Sequence, residues 1–121
     1  MQPESEKESH MAKLVSDNFR VVPWTGSQHP TLSHVVNLLK QQNYRPYQWQ
    51  NTPNYRYLVR SHNYHKFFYV VEGSLEVSFP DENQVVRLKV GDRIDIRPNI
   101  RHGIQVGSKG VVCVEVAIAR A

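Results

Sequence analysis

Cys113 is the only thiol in this chain. One cysteine excludes an internal disulfide and a four-cysteine zinc site. Lack of disulfides favours the cytoplasm. No stretch of about 18 apolar residues exists, so no membrane-spanning helix is expected. The first residues lack the apolar core of a signal peptide. Charge of one sign is also not concentrated. The net charge of +4 comes from 15 Lys and Arg against 11 Asp and Glu. The basic residues are scattered rather than gathered into a stripe, so nucleic acid is not an expected partner. No internal repeat and no linker divides the chain.

What remains is a 121-residue chain, 40% hydrophobic and 21% charged. That is long enough for one domain with a real core, and balanced as soluble globular chains are. Residues 1–12 are polar and carry Glu4, Glu6 and Glu8. They read as a disordered leader or partial tag. Ser9-His10-Met11 resembles a vector scar, which would make Met11 the native start. His10 is therefore not counted as a ligand.

Residues 13–43 hold one strand and one helix expected to pack on the rest. Phe19-Arg20-Val21-Val22 is a short strand ended by Pro23. Pro30 or Thr31 opens a helix that runs to about Gln42. Leu32, Val35, Val36 and Leu39 recur at helical spacing and form one apolar stripe. Lys40 suits the negative end of the helix dipole, and Asn43 suits the cap. His34 falls beside the stripe and reads as surface.

From Tyr44 the period becomes two. Tyr44–Trp49 reads as an edge strand, since Pro46 cannot serve a central ladder. Further strands are expected at about Tyr55–His62, Lys66–Val71, Ser74–Phe79, Val85–Val90, Arg93–Ile96, Gly103–Val106 and Val111–Ala119. Turn residues separate them at Glu72-Gly73, Pro80–Asn83, Gly91-Asp92, Pro98-Asn99 and Gly107–Gly110. Many short strands at this spacing imply an all-β sandwich or barrel over residues 44–121. Two of the strand–turn units carry histidine: Arg60 to Gly73, and Gly91 to His102. Their pairing suggests one site assembled across a sheet.

These two units resemble the paired motifs of the cupin superfamily, small jelly-roll barrels of the double-stranded β-helix type. The first motif reads Gly-x5-His-x-His-x3-Glu-x6-Gly. Ending it on Gly73 puts Lys66 at the Glu, His62 and Arg60 at the two histidines, and Asn54 at the opening Gly. The second reads Gly-x5-Pro-x-Gly-x2-His-x3-Asn. Starting it on Gly91 puts Arg97 at the Pro, Asn99 at the Gly, His102 at the His and Val106 at the Asn. The proline is displaced by one, to Pro98. Asn is the commonest non-glycine residue in left-handed backbone, so Asn54 and Asn99 can replace glycine. The resemblance covers residues 44–119 and resembles in particular small single-domain members with an added N-terminal helix. It implies an all-β cupin barrel and a homodimer.

In the family, the two histidines and the Glu of the first motif, with the histidine of the second, point inward and bind a divalent metal. Here those positions hold Arg60, His62, Lys66 and His102. Alternation along a strand puts Leu58, Arg60 and His62 on one face, and Lys66, Phe68 and Val70 on one face. A metal needs lone pairs, and two cations supply none.

Three arrangements stay open. The residues Arg60, His62, Lys66 and His102 form a metal-free pocket for an anionic carboxylate or phosphate. Alternatively His62 and His102 bind a divalent transition metal (Fe, Mn, Ni or Zn), with His65, Glu115 or Glu76 as third ligand; that would make the protein a metal-dependent dioxygenase or isomerase. Or the site is a vestige in which Arg60 and Lys66 pair with carboxylates such as Glu115. His65 reads as a rim or outer-face residue. Glu115 and Cys113 share one face of the last strand, inner or outer. Trp24, Trp49 and the tyrosines at 44, 47, 55 and 57 read as core or dimer contacts.

Overall fold

The computed structural model describes residues 16–118. In chain order these form β1 (Phe19–Val22), α1 (Leu32–Gln41), β2 (Tyr47–Asn51), β3 (Arg56–Arg60), β4 (His65–Phe79), a 3-10 turn (Pro80–Glu82), β5 (Gln84–Lys89), β6 (Arg93–Ile96) and β7 (His102–Ile118). The leader expected over residues 1–12 lies outside the described residues. No helix among those described is long and apolar enough to cross a membrane.

Two long antiparallel strands organise everything else. β4 pairs with β7 along nearly its whole length, from His65 opposite Ile118 to Ser78 opposite Gly103. The sequence predicts each of them as two shorter strands separated by turns at Glu72-Gly73 and Gly107–Gly110. The structure corrects this. The register shifts between Val70 and Glu72 and again between Gly73 and Leu75, so the chain bulges and bends without leaving the ladder. Gly73 has φ +74° and Gly110 φ +81°. A Cβ on Gly73 would stand 1.9 Å from the Gly110 carbonyl oxygen. Glycine is required there because the two backbones press together, as well as for its left-handed conformation.

The bend gives each long strand two halves. The first half of β4 and the second half of β7 carry β6, β1 and β2, in the order β1-β6-β4-β7-β2. The second half of β4 and the first half of β7 carry β5 and β3. Inward residues from both halves fill one core. Phe68, Val70, Ile94, Ile96 and Cys113 come from the first set, and Leu75, Val77, Phe79, Leu88 and Val106 from the second. Phe19 stacks on Phe79 at 3.9 Å between ring centroids. The architecture is the all-β jelly roll expected from the sequence, with one added helix. Among the described residues no strand pairing closes it into a ring.

Helix α1 covers the outer face of the first set. The Thr31 hydroxyl caps it, accepting from the His34 N–H at 3.1 Å. Asn43 follows its C-terminus at φ +69°. Val35 and Leu39 are buried against Phe67, Val71, Val114 and Val116, which is what the apolar stripe predicts. Burying each such side chain contributes about 1.5–3 kcal/mol before entropy is charged against it. Asn54 and Asn99 have φ +63° and +66°, as their glycine-like positions require.

Candidate functional site

At the junction of the two sets the interior opens into a cleft of about 230 Å³. Its charged residues are Arg60, Lys66 and Glu115, its aromatic walls are Tyr47, Trp49, Tyr57 and Tyr64, and His62 and Ile104 complete it.

A bulge aims Arg60. Tyr57 opposes Ile104 and Arg60 opposes His102, so three residues of β3 span two of β7. Strict alternation fails across this step. Tyr57 and Arg60 both line the cleft, Arg60 from its exposed mouth, and the Arg60 guanidinium lies 5.7 Å from the Tyr57 ring centroid. Leu58, expected to share the face of Arg60 and His62, is instead 81% exposed. The sequence places His62 at the end of a strand; the structure corrects this and puts it in the loop between β3 and β4. The Asn99 N–H fixes that loop by donating to the His62 carbonyl at 2.6 Å. The left-handed turn at Asn99 thus ties the two histidine-bearing units together.

Lys66 lies near the start of β4, inward with Phe68 and Val70 as alternation predicts. Glu115 faces inward from β7 beside Cys113, which settles the face left open by the sequence; both are buried. Lys66 Nζ is 3.7 Å from Glu115 Oε2. Trp49 Nε1 donates to Glu115 Oε1 at 2.9 Å. The Tyr47 hydroxyl donates to Glu115 Oε2. Tyr47 and Trp49 alternate on β2 and so reach the same carboxylate, because Tyr47 opposes Glu115 in register and Trp49 opposes Cys113. These two aromatic residues, together with Tyr57 and Tyr64, are the site residues that sequence reasoning missed. The signal was the spacing of Tyr47 and Trp49 on one face of a strand next to Glu115.

His102 is buried. Its Nδ1 is 2.8 Å from the Ile100 carbonyl oxygen. A carbonyl only accepts, so Nδ1 carries the proton and Nε2 keeps its lone pair. Burial pushes the pKa of His102 down to about 4, with Lys66, His62 and Arg60 adding to the effect against the bond to Ile100. His62 is also lowered, first by burial and then by Lys66 and Arg60. Both shifts favour the neutral imidazole. Their ring centroids are 5.6 Å apart, and His62 stacks on Tyr64 at 5.1 Å. His62 Nε2 is buried without a hydrogen-bond partner among the described residues.

The structure therefore brings Arg60, His62, Lys66 and Glu115 to one cleft, with His102 next to His62. It does not bring His65 or Glu76. His65 precedes Lys66 and falls on the opposite face. Glu76 lies between inward Leu75 and Val77 and pairs with Arg87, whose Nε donates at 3.1 Å.

The donor set does not suit a bound metal. His62 and His102 offer two neutral nitrogens. The remaining positions of the family's set present the cations Arg60 and Lys66. Glu115 is held by Tyr47, Trp49 and Lys66. Among the described residues no three His, Cys, Asp or Glu side chains converge as metal ligands would.

Similar folds are widespread. A structure of unknown function from Rhizobium leguminosarum superposes with a TM-score of 0.58 at 13% identity, covering 99% of this chain and 98% of that one. An RmlC-like cupin from Shewanella frigidimarina gives 0.53 at 23% identity, covering 62% and 66%. The polyketide cyclase RemF from Streptomyces resistomycificus gives 0.55 at 23% identity, covering 64% and 56%. At these identities the likeness is one of fold alone. No curated protein matches the chain. The family described as "Cupin domain" matches residues 53–117, more than half of the sequence and both histidine-bearing units. The chain belongs to the cupin family.

Proposed function

We propose that this cupin domain binds a small organic acid, or a comparable phosphate ester, in the cleft between Arg60 and Glu115. The charge balance of the cleft supports this. Lys66 is offset by Glu115, whereas Arg60 has no carboxylate partner among the described residues. A guanidinium at a cleft mouth suits a carboxylate or phosphate, which it grips with two parallel N–H donors. The neutral His62 adds a donor or acceptor beside it. Tyr47, Trp49, Tyr57 and Tyr64 provide flat apolar surface for the body of the ligand. The vestigial arrangement is met for Lys66, which pairs with Glu115, but not for Arg60.

A thermal-shift screen of small carboxylates and sugar phosphates tests this. The expected result is a set of acids that raise the Tm of the wild type and not of Arg60→Ala. Acids that stabilise both proteins equally would count against it.

Homodimerisation and cytoplasmic residence belong to the same proposal. Leu58, Val59 and Val85 are exposed large apolar residues lining one shallow groove, which suits burial against a second copy. The lone thiol Cys113 is compatible with a reducing compartment.

A further inference from the structure

We propose that Lys66 is a nucleophilic amine that captures the carbonyl group of an oxo acid as an imine, an inference that rests on Arg60 anchoring an organic acid. The Lys66 side chain is only 6% exposed yet lines the cleft. Its one close carboxylate oxygen, on Glu115, is at 3.7 Å, beyond ordinary hydrogen-bond reach. The Phe68 ring centroid is 5.8 Å from Nζ. A lysine held this way has lost most of its hydration without a compensating short contact. Burial accordingly lowers its pKa, Arg60 lowers it further, and Glu115 opposes both. Desolvation beside a second cation is a recognised means of activating a lysine toward carbonyl compounds.

The remaining residues suit the product as well as the nucleophile. Lys66 passes a proton to His62, which is neutral and lines the same cleft. The free nitrogen lone pair forms a bond to the carbonyl carbon while the C=O π pair moves to oxygen, which takes that proton back. The carbinolamine oxygen then leaves as water, taking a second proton from nitrogen through His62, and the nitrogen lone pair closes the C=N bond. Of the three ammonium hydrogens, two leave in the water and one stays on nitrogen. The iminium keeps the positive charge that the ammonium carried. Glu115, fixed by Tyr47 and Trp49, therefore remains its counter-ion throughout. A carboxylate on the same substrate is held by Arg60, and the carbonyl lies over Lys66.

The test is reductive trapping of the full-length protein with pyruvate, acetoacetate and levulinate, which differ in the spacing of carboxylate and carbonyl, using sodium borohydride. Intact mass and peptide mapping should show one reduced adduct per chain, on Lys66, with at least one of the three acids. It should fall at least tenfold in Arg60→Ala and in the presence of benzoate, which carries the carboxylate without the ketone. Lys66→Arg should give none. If that variant does not fold, the wild-type peptide map still decides. No adduct with any of the acids, or labelling of Lys66 no greater than of exposed Lys40, Lys89 and Lys109, would overturn the inference. Acids that bind by calorimetry but leave Lys66 unlabelled would overturn it and leave the binding function intact. An adduct on Lys66 that neither Arg60→Ala nor benzoate diminishes would instead overturn the anchoring at Arg60.

Discussion

Lys66 and Glu115 form a buried ion pair, Nζ to Oε2 at 3.7 Å, with both side chains about nineteen-twentieths removed from solvent. Lys66 stands at the position of the Glu in the family's first motif, and the pair sets the electrostatics of the cleft. Glu115 neutralises Lys66 and leaves Arg60 as the uncompensated charge.

Glu115→Gln should therefore destabilise the protein more than an exposed carboxylate would. Removing one partner of a buried pair leaves a charge without its counter-ion, at a cost of about 3–5 kcal/mol. Urea denaturation should show this loss. Glu76→Gln, which breaks the exposed contact with Arg87, should change stability by less than about 1 kcal/mol. Equal effects at the two positions would contradict the assignment of Glu115 as counter-ion.

Stability should fall as pH drops from about 6.5 toward 4. His102 is depressed to about 4 in the fold from an ordinary value of 6.5. Between these values the unfolded chain binds the proton and the folded chain does not. The contribution is thus fully present above about 6.5 and is lost as pH falls toward the folded pKa. His62 is shifted in the same direction. The Tm of His102→Gln, measured against pH, should decline less steeply than that of the wild type across this window. Parallel curves would show that His102 titrates normally.

Gly73→Ala should cost at least about 2 kcal/mol, a combined effect of left-handed backbone and steric overlap. The added methyl would meet the Gly110 carbonyl, a backbone atom that cannot swing aside. A urea midpoint unchanged from wild type would show that the bend between the two sets is more compliant than the fold implies.

Elemental analysis of protein purified without chelators should give well below one transition metal per chain. Two neutral histidines beside two cations make an underfilled site. A stoichiometric metal that disappears in a His62→Ala, His102→Ala double variant would mean that Arg60 and Lys66 turn aside.

Most of the fold can be read from the sequence because its signals are local. The α1 stripe, the asparagines at 54 and 99 and the period-two strands each act through neighbouring residues. The motif spacing places Arg60, His62, Lys66 and His102 correctly near one another, because they lie on paired strands and a tied loop. What escapes is set by pairing between distant segments. Gly73 looks like a turn until Gly110 is seen to press against it. The place of Arg60 at the cleft depends on a bulge that is defined only by the register of β3 against β7. Tyr47 and Trp49 look like core residues until β2 is laid beside Glu115. The direction of a strand residue alternates predictably, but a bulge resets it, and bulges are long-range facts.

The most direct test of the central claim is titration calorimetry of the wild type and Arg60→Ala with a small carboxylate found by thermal shift. If Arg60 is the anion anchor, the variant should bind about 10- to 100-fold more weakly, the worth of a charge-assisted hydrogen bond. Equal affinity in the two proteins would contradict the claim that this cleft recognises an acid through Arg60.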